Sequence, residues 1–524
     1  MEAGAQPTEF VDVTTTAALE EKAKLKKHFG RFDILFFLIC TIVGLDTLGA
    51  VASNGAEGFT WLIFLSVLFF VPYALLTAEL GAAFPEEGGC YEWTKLAFGR
   101  FVAGVNAVIY WIANPIWLGG VLAITALTTF STFFTDISGT SDPWRYVFLL
   151  GFIWFAVWGA ILSFNVGKWI PSIGAFARVT LLAFFSLSVV IYAIKHGVHG
   201  FGAGSFKPTY AVFIAAVPVL FFNYVGFELP NAAGEEMKNP KRDVPFTILR
   251  AAGLSIILYG VPVLLILLVL PTGQVTNLGG FIDAMKTVFT VYGGSVASDG
   301  TPTLTGAGHV LGDLAAVGFI WVLMSSGATW IIGADRTQAV AGYDGAAPRF
   351  LGVFSKRWGT PIVVNLLSGV VATLVMIFAS VLTSGSSEKY FSAVLGLAIS
   401  TTTISYIAIF PALVKLRYNH GHVPRPFKIA GGMAMAWVIS ILTTGWALLA
   451  TVVLLWPGLG TSDPNSALAD LGFDNQRWQY EAAEFIPLVV ILATGVIFYA
   501  LGAPTRRKTA TVPLVEAEPE AAPA

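Results

Sequence analysis

Charge is scarce in this chain. Asp, Glu, Lys and Arg make up 12% of its 524 residues, about half the ~25% of an ordinary soluble domain. The net charge is −2, so there is no basic excess to attract nucleic acid. Cysteine is nearly absent. Of the two, Cys40 is expected within a helix and Cys90 in a loop at the inner face, which excludes a disulfide framework and a cysteine metal site. The six histidines fall in loops or at the ends of apolar runs. The runs H-E-x-x-H and G-x-S-x-G are missing, and an intramembrane hydrolase would need such a constellation. No cofactor, metal or catalytic residue is expected. Residues 1–30 are polar and the first apolar run is too long for a signal peptide, so no cleavable leader is expected.

What the chain has is apolar surface. Hydrophobic residues make up 56% of it and the mean hydropathy is +0.74. Taking about 20 apolar residues per crossing, twelve spans follow: 33–57, 60–83, 101–130, 146–166, 170–195, 209–234, 246–271, 307–338, 361–383, 390–416, 431–457 and 482–503. The fold class expected is an all-α polytopic membrane protein. Its parts are a cytoplasmic tail at 1–30, a transmembrane domain at 31–503 and a disordered cytoplasmic tail at 504–524. Residues 1–20 are expected to be unstructured for want of apolar residues. Of the longer outer loops, 272–308 includes a candidate amphipathic helix at Phe281–Phe289, and 458–481 reads as plain loop.

Charge orients the spans. The collar Lys22, Lys24, Lys26, Lys27 and Arg31, then Lys95, Arg100, Lys168, Lys238, Lys241, Arg242, Arg349, Lys356, Arg357, Arg425 and Arg506 all fall on one side. The other side keeps Arg145, Lys195, Lys207, Lys286, Lys389 and Arg477. Positive residues stay inside, so both termini are expected in the cytoplasm.

Two of these spans break their own pattern. The sixth carries Phe222-Asn223-Tyr224-Val225-Gly226-Phe227-Glu228 followed by Pro230. Backbone freed at that depth is tolerated only against protein or a water-filled cavity, and an ionisable residue there is a candidate functional group. The first carries Val43-Gly44-Leu45-Asp46-Thr47-Leu48-Gly49. Interrupted segments at matching places in two halves point to a transporter's inverted repeat with its site between them. The spacing of five spans implies a repeat of 1–5 and 6–10 with two helices appended.

The run Gly226-Phe227-Glu228, with Glu236-Met237-Lys238-Asn239-Pro240-Lys241-Arg242-Asp243-Val244-Pro245, resembles the signature of the amino acid/polyamine/organocation permease superfamily. Phe84-Pro85-Glu86-Glu87-Gly88-Gly89-Cys90-Tyr91-Glu92-Trp93 is similar to its FPxxGGxYxW loop. Ala339–Pro348 with Thr360-Pro361, and Arg425-Pro426-Phe427-Lys428, resemble further family loops. The resemblance implies a LeuT-type fold, alternating access at the plasma membrane, and a small amino acid or amine as partner, with protons as a further possibility.

It also implies roles. Relatives that take α-amino acids resemble I-G-(S/T)-G-(I/V)-F in the first broken helix, where bare N–H groups grip the carboxylate. Here the aligned run is Val43, Gly44, Leu45, Asp46, Thr47, with Asp46 in place of the second glycine. A fixed carboxylate repels a carboxylate and attracts an ammonium, so an amine or polyamine substrate stands beside an amino acid. A structural or protonation role for Asp46 stays open. Arg178 falls within the fifth span, where relatives hold a lysine in place of sodium. This implies proton coupling or exchange, unless Arg178 snorkels to the interface. Glu228 resembles a family carboxylate that could carry a proton, gate the site or pair with a substrate cation. Phe222 and Trp330 match aromatic lid and wall positions, and Asn114, Asn223, Tyr224 and Gly226 complete the expected site. Core packing is the competing role for the aromatics, and an interhelical hydrogen bond for Asn114. A nutrient sensor of the same fold is an alternative to a transporter.

Overall fold

The structure, a computed structural model, describes residues 11–162, 169–200, 202–298, 300–382 and 387–513. It is almost wholly helical. A strand, β1 (Val11–Thr15), leads into α1 (Thr16–Lys22) and then α2 (Arg31–Ile42). The chain unwinds at Val43–Thr47 and resumes in a five-residue helix, α3 (Leu48–Ala52). Two segments, α4 (Gly55–Leu65) and α5 (Val71–Ala83), join through a π-helical turn. After α6 (Cys90–Phe98), a second long rod forms from α7 (Arg100–Trp117), a π turn, and α8 (Ala123–Phe133). Two single helices follow, α9 (Pro143–Leu162) and α10 (Trp169–His196).

The second half repeats the motif of a broken helix. α11 (Tyr210–Asn223) starts where the Thr209 hydroxyl accepts from the Val212 N–H, and it stops at Asn223. Beyond it Gly226 takes a φ of +123°, a value that L side chains rarely adopt. A 3₁₀ stretch, Leu229–Glu236, carries the chain to α12 (Pro240–Val269). Its first residue, Pro240, needs no N–H there. Then come α13 (Gly280–Phe289), the hairpin β2 (Gly294–Val296) and β3 (Pro302–Leu304), and α14 (Gly306–Tyr343). The described residues finish with α15 (Ile362–Leu382), α16 (Ser387–Ile409), α17 (Ala412–Asn419), α18 (Gly432–Leu455), α19 (Pro464–Asp470), α20 (Arg477–Leu501), α21 (Ala503–Arg506) and β4 (Thr509–Pro513).

Among the described residues ten helices are long and apolar enough to cross a membrane. The two expected spans missing from that set are the two interrupted ones, α2–α3 and α11, which are too short once broken. The outward faces of the ten long helices fit lipid: Phe176, Ile441 and Val489 stand exposed on α10, α18 and α20.

The structure corrects the sequence in three places. Residues 11–22 are ordered, and β1 pairs antiparallel with β4 from Val11↔Pro513 to Thr15↔Thr509, where unstructured tails are expected. This segment folds by borrowing partners. The Thr15 hydroxyl donates to the Tyr343 carbonyl at 2.6 Å, and Ala17 and Ala18 pack with Tyr343, Leu351 and Phe354. The expected plain loop 458–481 contains α19. Arg145, expected in an outer loop, is buried on α9. Cys40 and Cys90 are both free and buried.

Candidate functional site

Breaking two helices strands backbone groups, and each must find a partner. At the end of α2 the carbonyls are claimed one by one. Arg178 Nη1 donates to Ile39 O at 2.8 Å. Trp330 Nε1 donates to Thr41 O at 3.0 Å. The Tyr259 hydroxyl donates to Ile42 O at 2.5 Å and accepts from the Gly44 N–H at 2.8 Å. At the other break the Tyr73 hydroxyl accepts from the Gly226 and Phe227 N–H groups at 3.0 and 2.9 Å. The two breaks are tied directly where the Thr47 hydroxyl donates to Asn223 Oδ1.

Between the breaks lies a cavity of about 20 Å³, the room of roughly one water. Gly44, Asp46, Thr47, Phe222, Asn223 and Trp330 line it, with Thr41, Ile42, Trp117, Val225 and Tyr259. Trp117 holds the aromatic wall together, its ring centroid 6.0 Å from Phe222 and 6.1 Å from Trp330, both edge to face. Asp46 is buried among them. Trp117 Nε1 donates to its Oδ2 at 2.9 Å, while Oδ1 has no hydrogen-bond partner.

Other expected site residues lie outside this wall. Val43 and Leu45 turn into the core. Tyr224 faces α4 and the π turn after it, its hydroxyl donating to Leu62 O at 3.1 Å and its ring stacked on Phe70 at 4.5 Å. Asn114 is buried with both amide atoms unpartnered and does not line the cavity. Gly226 serves through its backbone. A Cβ there would meet Thr41 Cγ2 at 2.5 Å and Trp330 at 3.2 Å.

Glu228 sits in a compartment of its own. Tyr110 and Tyr406 each donate to its Oε1 at 2.6 Å, and Tyr73 donates to Oε2. Three phenols from α7, α16 and α5 thus hold one buried carboxylate. Arg178 does not snorkel. It is fully buried, and beyond Ile39 O it donates to Ser326 Oγ at 2.8 Å and to Val322 O and Ser325 Oγ at 3.3 and 3.4 Å. Gly174 permits this fit, because a Cβ there would lie 2.3 Å from Ser325 Oγ.

The side of the breaks nearer α1 is closed by charge. Arg336 Nη1 donates to Glu87 Oε1 at 2.7 Å and Glu236 Oε1 at 2.9 Å, and Nη2 to Gly359 O at 2.7 Å. Burial pushes the Glu87 carboxyl up to about 8, against the pull of Arg336. On the opposite side a cavity of about 600 Å³ opens above the site, walled by α3, α11, α16, α18 and the loop before α13. The arrangement is a small polar site between broken helices, shut on one side and overlooked by a wide cavity on the other.

A family model described as amino acid permease matches residues 29–469. The chain belongs to this family. A probable agmatine/putrescine antiporter of Lactococcus lactis is 28% identical over 434 residues, 80% of this chain and 87% of that one. An amino-acid permease of Candida albicans is 23% identical over 76% of this chain and 62% of its own. Among solved structures, a manganese transporter of Eremococcus coleocola superposes with a TM-score of 0.59 at 12% identity, covering 97% of each chain. MhsT in complex with L-phenylalanine does so at 0.58 and 15%, covering 82% of this chain and 99% of its own. These two show the LeuT-type fold. The permease is a multi-pass membrane protein of the amino acid/polyamine transporter class.

Trp117, Tyr259 and the phenols Tyr73, Tyr110 and Tyr406 escape a reading of the sequence. An aromatic on an apolar helix looks the same whether it fills core or aims a hydroxyl. The one available signal was polar tips on spans otherwise made of Leu, Val and Phe.

Proposed function

We propose that this permease carries cationic amines, diamines and guanidino-amines among them, across the plasma membrane by alternating access, with both termini cytoplasmic. Coupling is by exchange or protons and independent of sodium. One observation carries the reading: the unpartnered Oδ1 of buried Asp46 in an aromatic-lined cavity. An ammonium would give that oxygen a charge-assisted hydrogen bond. Aromatic faces of Trp117, Trp330 and Phe222 suit the same charge. The Gly44 N–H that could grip a substrate carboxylate already donates to Tyr259. The relative named for agmatine and putrescine exchange agrees in substrate class. Arg178 brings a fixed positive charge to a nest of carbonyl and hydroxyl oxygens that would otherwise suit a small cation.

Competition binding of matched pairs tests the reading: agmatine against arginine, putrescine against ornithine. The wild type should prefer the amine of each pair. Asp46→Asn should weaken the amine by about 2 kcal/mol, the scale of a hydrogen bond to a charged group, and the amino acid by less. A wild-type preference for the amino acid that survives Asp46→Asn would overturn it.

A further inference from the structure

On the α1 side of the closure formed by Arg336, the N-terminal segment roofs a cavity of about 220 Å³, roughly seven waters' share of liquid volume. Three residues that line it each carry a buried oxygen with no hydrogen-bond partner: Glu86 Oε2, Glu87 Oε2 and the Tyr343 hydroxyl. Glu87 and Tyr343 are each 1% exposed. Here they belong to three residues around one cavity. Where Glu86 and Glu87 are ionised their oxygens can only accept, and a donating cation favours that ionised form over the protonated one.

The charge around the cavity points the same way. Glu86, Glu87, Glu92 and Asp344 line it, while Glu235 pairs with its lining residue Lys22 and Glu236 shares Arg336 with Glu87. The cations among them are Lys22 on Glu235, Lys95 on Glu92, Arg100 on Asp344 and Arg336 on Glu87 and Glu236, with His28 3.8 Å from Glu236. Four permanent cations face six carboxyl groups. Burial holds the Glu86 and Glu87 carboxyls above the ordinary range, which a further cation would relieve.

Lys22 marks where that cation fits. It extends from α1 to pair with Glu235, under the pull of Glu92 and Glu86 as well. Together with Glu86 it walls off a neighbouring cavity of about 420 Å³. An ammonium on a four-carbon stem, tethered to the roof, already sits among these acids.

We propose that this cavity is a second binding site, separate from Asp46, for a primary alkyl diammonium ion. One ammonium is held by Glu86, Glu87 and Tyr343, and the other displaces Lys22 from Glu235. The site takes the substrate class assigned above, and so rests on that reading. It holds an amine on this side while the inner closure stands.

The test is equilibrium binding of radiolabelled 1,4-diaminobutane to the purified full-length protein and its variants. Two sites per chain are expected. Asp46→Asn should remove one and leave the other. Glu86→Gln should weaken that other site about tenfold, the scale of one hydrogen bond to a charged group. Lys22→Met, which keeps the stem and deletes the competitor, should tighten it about tenfold. A single site abolished by Asp46→Asn overturns the proposal. So does a second site unmoved by Glu86→Gln, whether or not Lys22→Met folds, and one weakened by Lys22→Met. Failure of the amine reading shows separately, as two sites of which neither responds to Asp46→Asn.

Discussion

Arg178 Nη1 lies 2.8 Å from the carbonyl of Ile39, three residues before α2 ends. The guanidinium therefore caps a helix that the sequence breaks, and joins it to Val322, Ser325 and Ser326 of α14. Arg178→Met should lower the thermal midpoint, since each buried acceptor left unpaired costs about 1–3 kcal/mol. Arg178→Lys should recover only part, lacking the fork. Uptake by the wild type should run equally in sodium and choline buffers, and a sodium requirement at fixed pH and potential would refute the assigned charge role.

Glu228 and its three phenols make a second case. Tyr110→Phe or Tyr406→Phe removes one donor at 2.6 Å and should cost about 1.5–3 kcal/mol. Because both act on Oε1, the double variant should depart from additivity by at least ~0.5 kcal/mol in a thermal double-mutant cycle. Additive losses would mean the two hydroxyls work independently.

Gly226→Ala tests the geometry of the second break. The φ of +123° strains any side chain by about 1–3 kcal/mol, and the new methyl meets Thr41 Cγ2 at 2.5 Å. Transport should be lost even where the protein reaches the membrane. Thr41→Ser, which deletes that methyl, should restore part of it.

Stability should fall with pH through Glu87. Its folded carboxyl lies at about 8, against an ordinary 4.5. A raised carboxyl keeps its proton in the folded state after the unfolded chain has lost it. Its stabilisation is complete below 4.5 and disappears as pH climbs through 8. Glu236, also raised by burial, shares Arg336 and acts in the same direction. Thermal midpoints should drop between pH 5 and pH 8 (about the window those values set), and Glu87→Gln should flatten the drop.

The N-terminal helix is a further point of test. Glu21 accepts from the Phe354 N–H at 2.8 Å and from Arg349 at 2.7 Å, which holds α1 against the loop after α14. These contacts keep the Glu21 carboxyl below its ordinary range although burial opposes them. Glu21→Ala should loosen the segment and raise proteolysis near Lys24 by roughly tenfold, if about 1.4 kcal/mol of local stability is lost.

Much of the architecture was legible because membrane crossing is a demand on whole segments. Runs of apolar residues survive any local ambiguity. The two breaks were legible for the opposite reason: Asp46, Gly226 and Glu228 violate the run they sit in. Side-chain direction was not. Tyr224 and Phe222 are neighbours of equal promise, yet Phe222 lines the cavity and Tyr224 turns to Leu62. The order in residues 11–22 was hidden as well, since α1 folds on partners more than 300 residues away.

The pairing of β1 with β4 carries a topological consequence. Two strands that share hydrogen bonds lie on one side of any bilayer the helices cross. The stretch that runs from β1 to β4 therefore crosses an even number of times. The parity of the helices between them is thus written in five residue pairs, independently of where any helix is judged to start or stop.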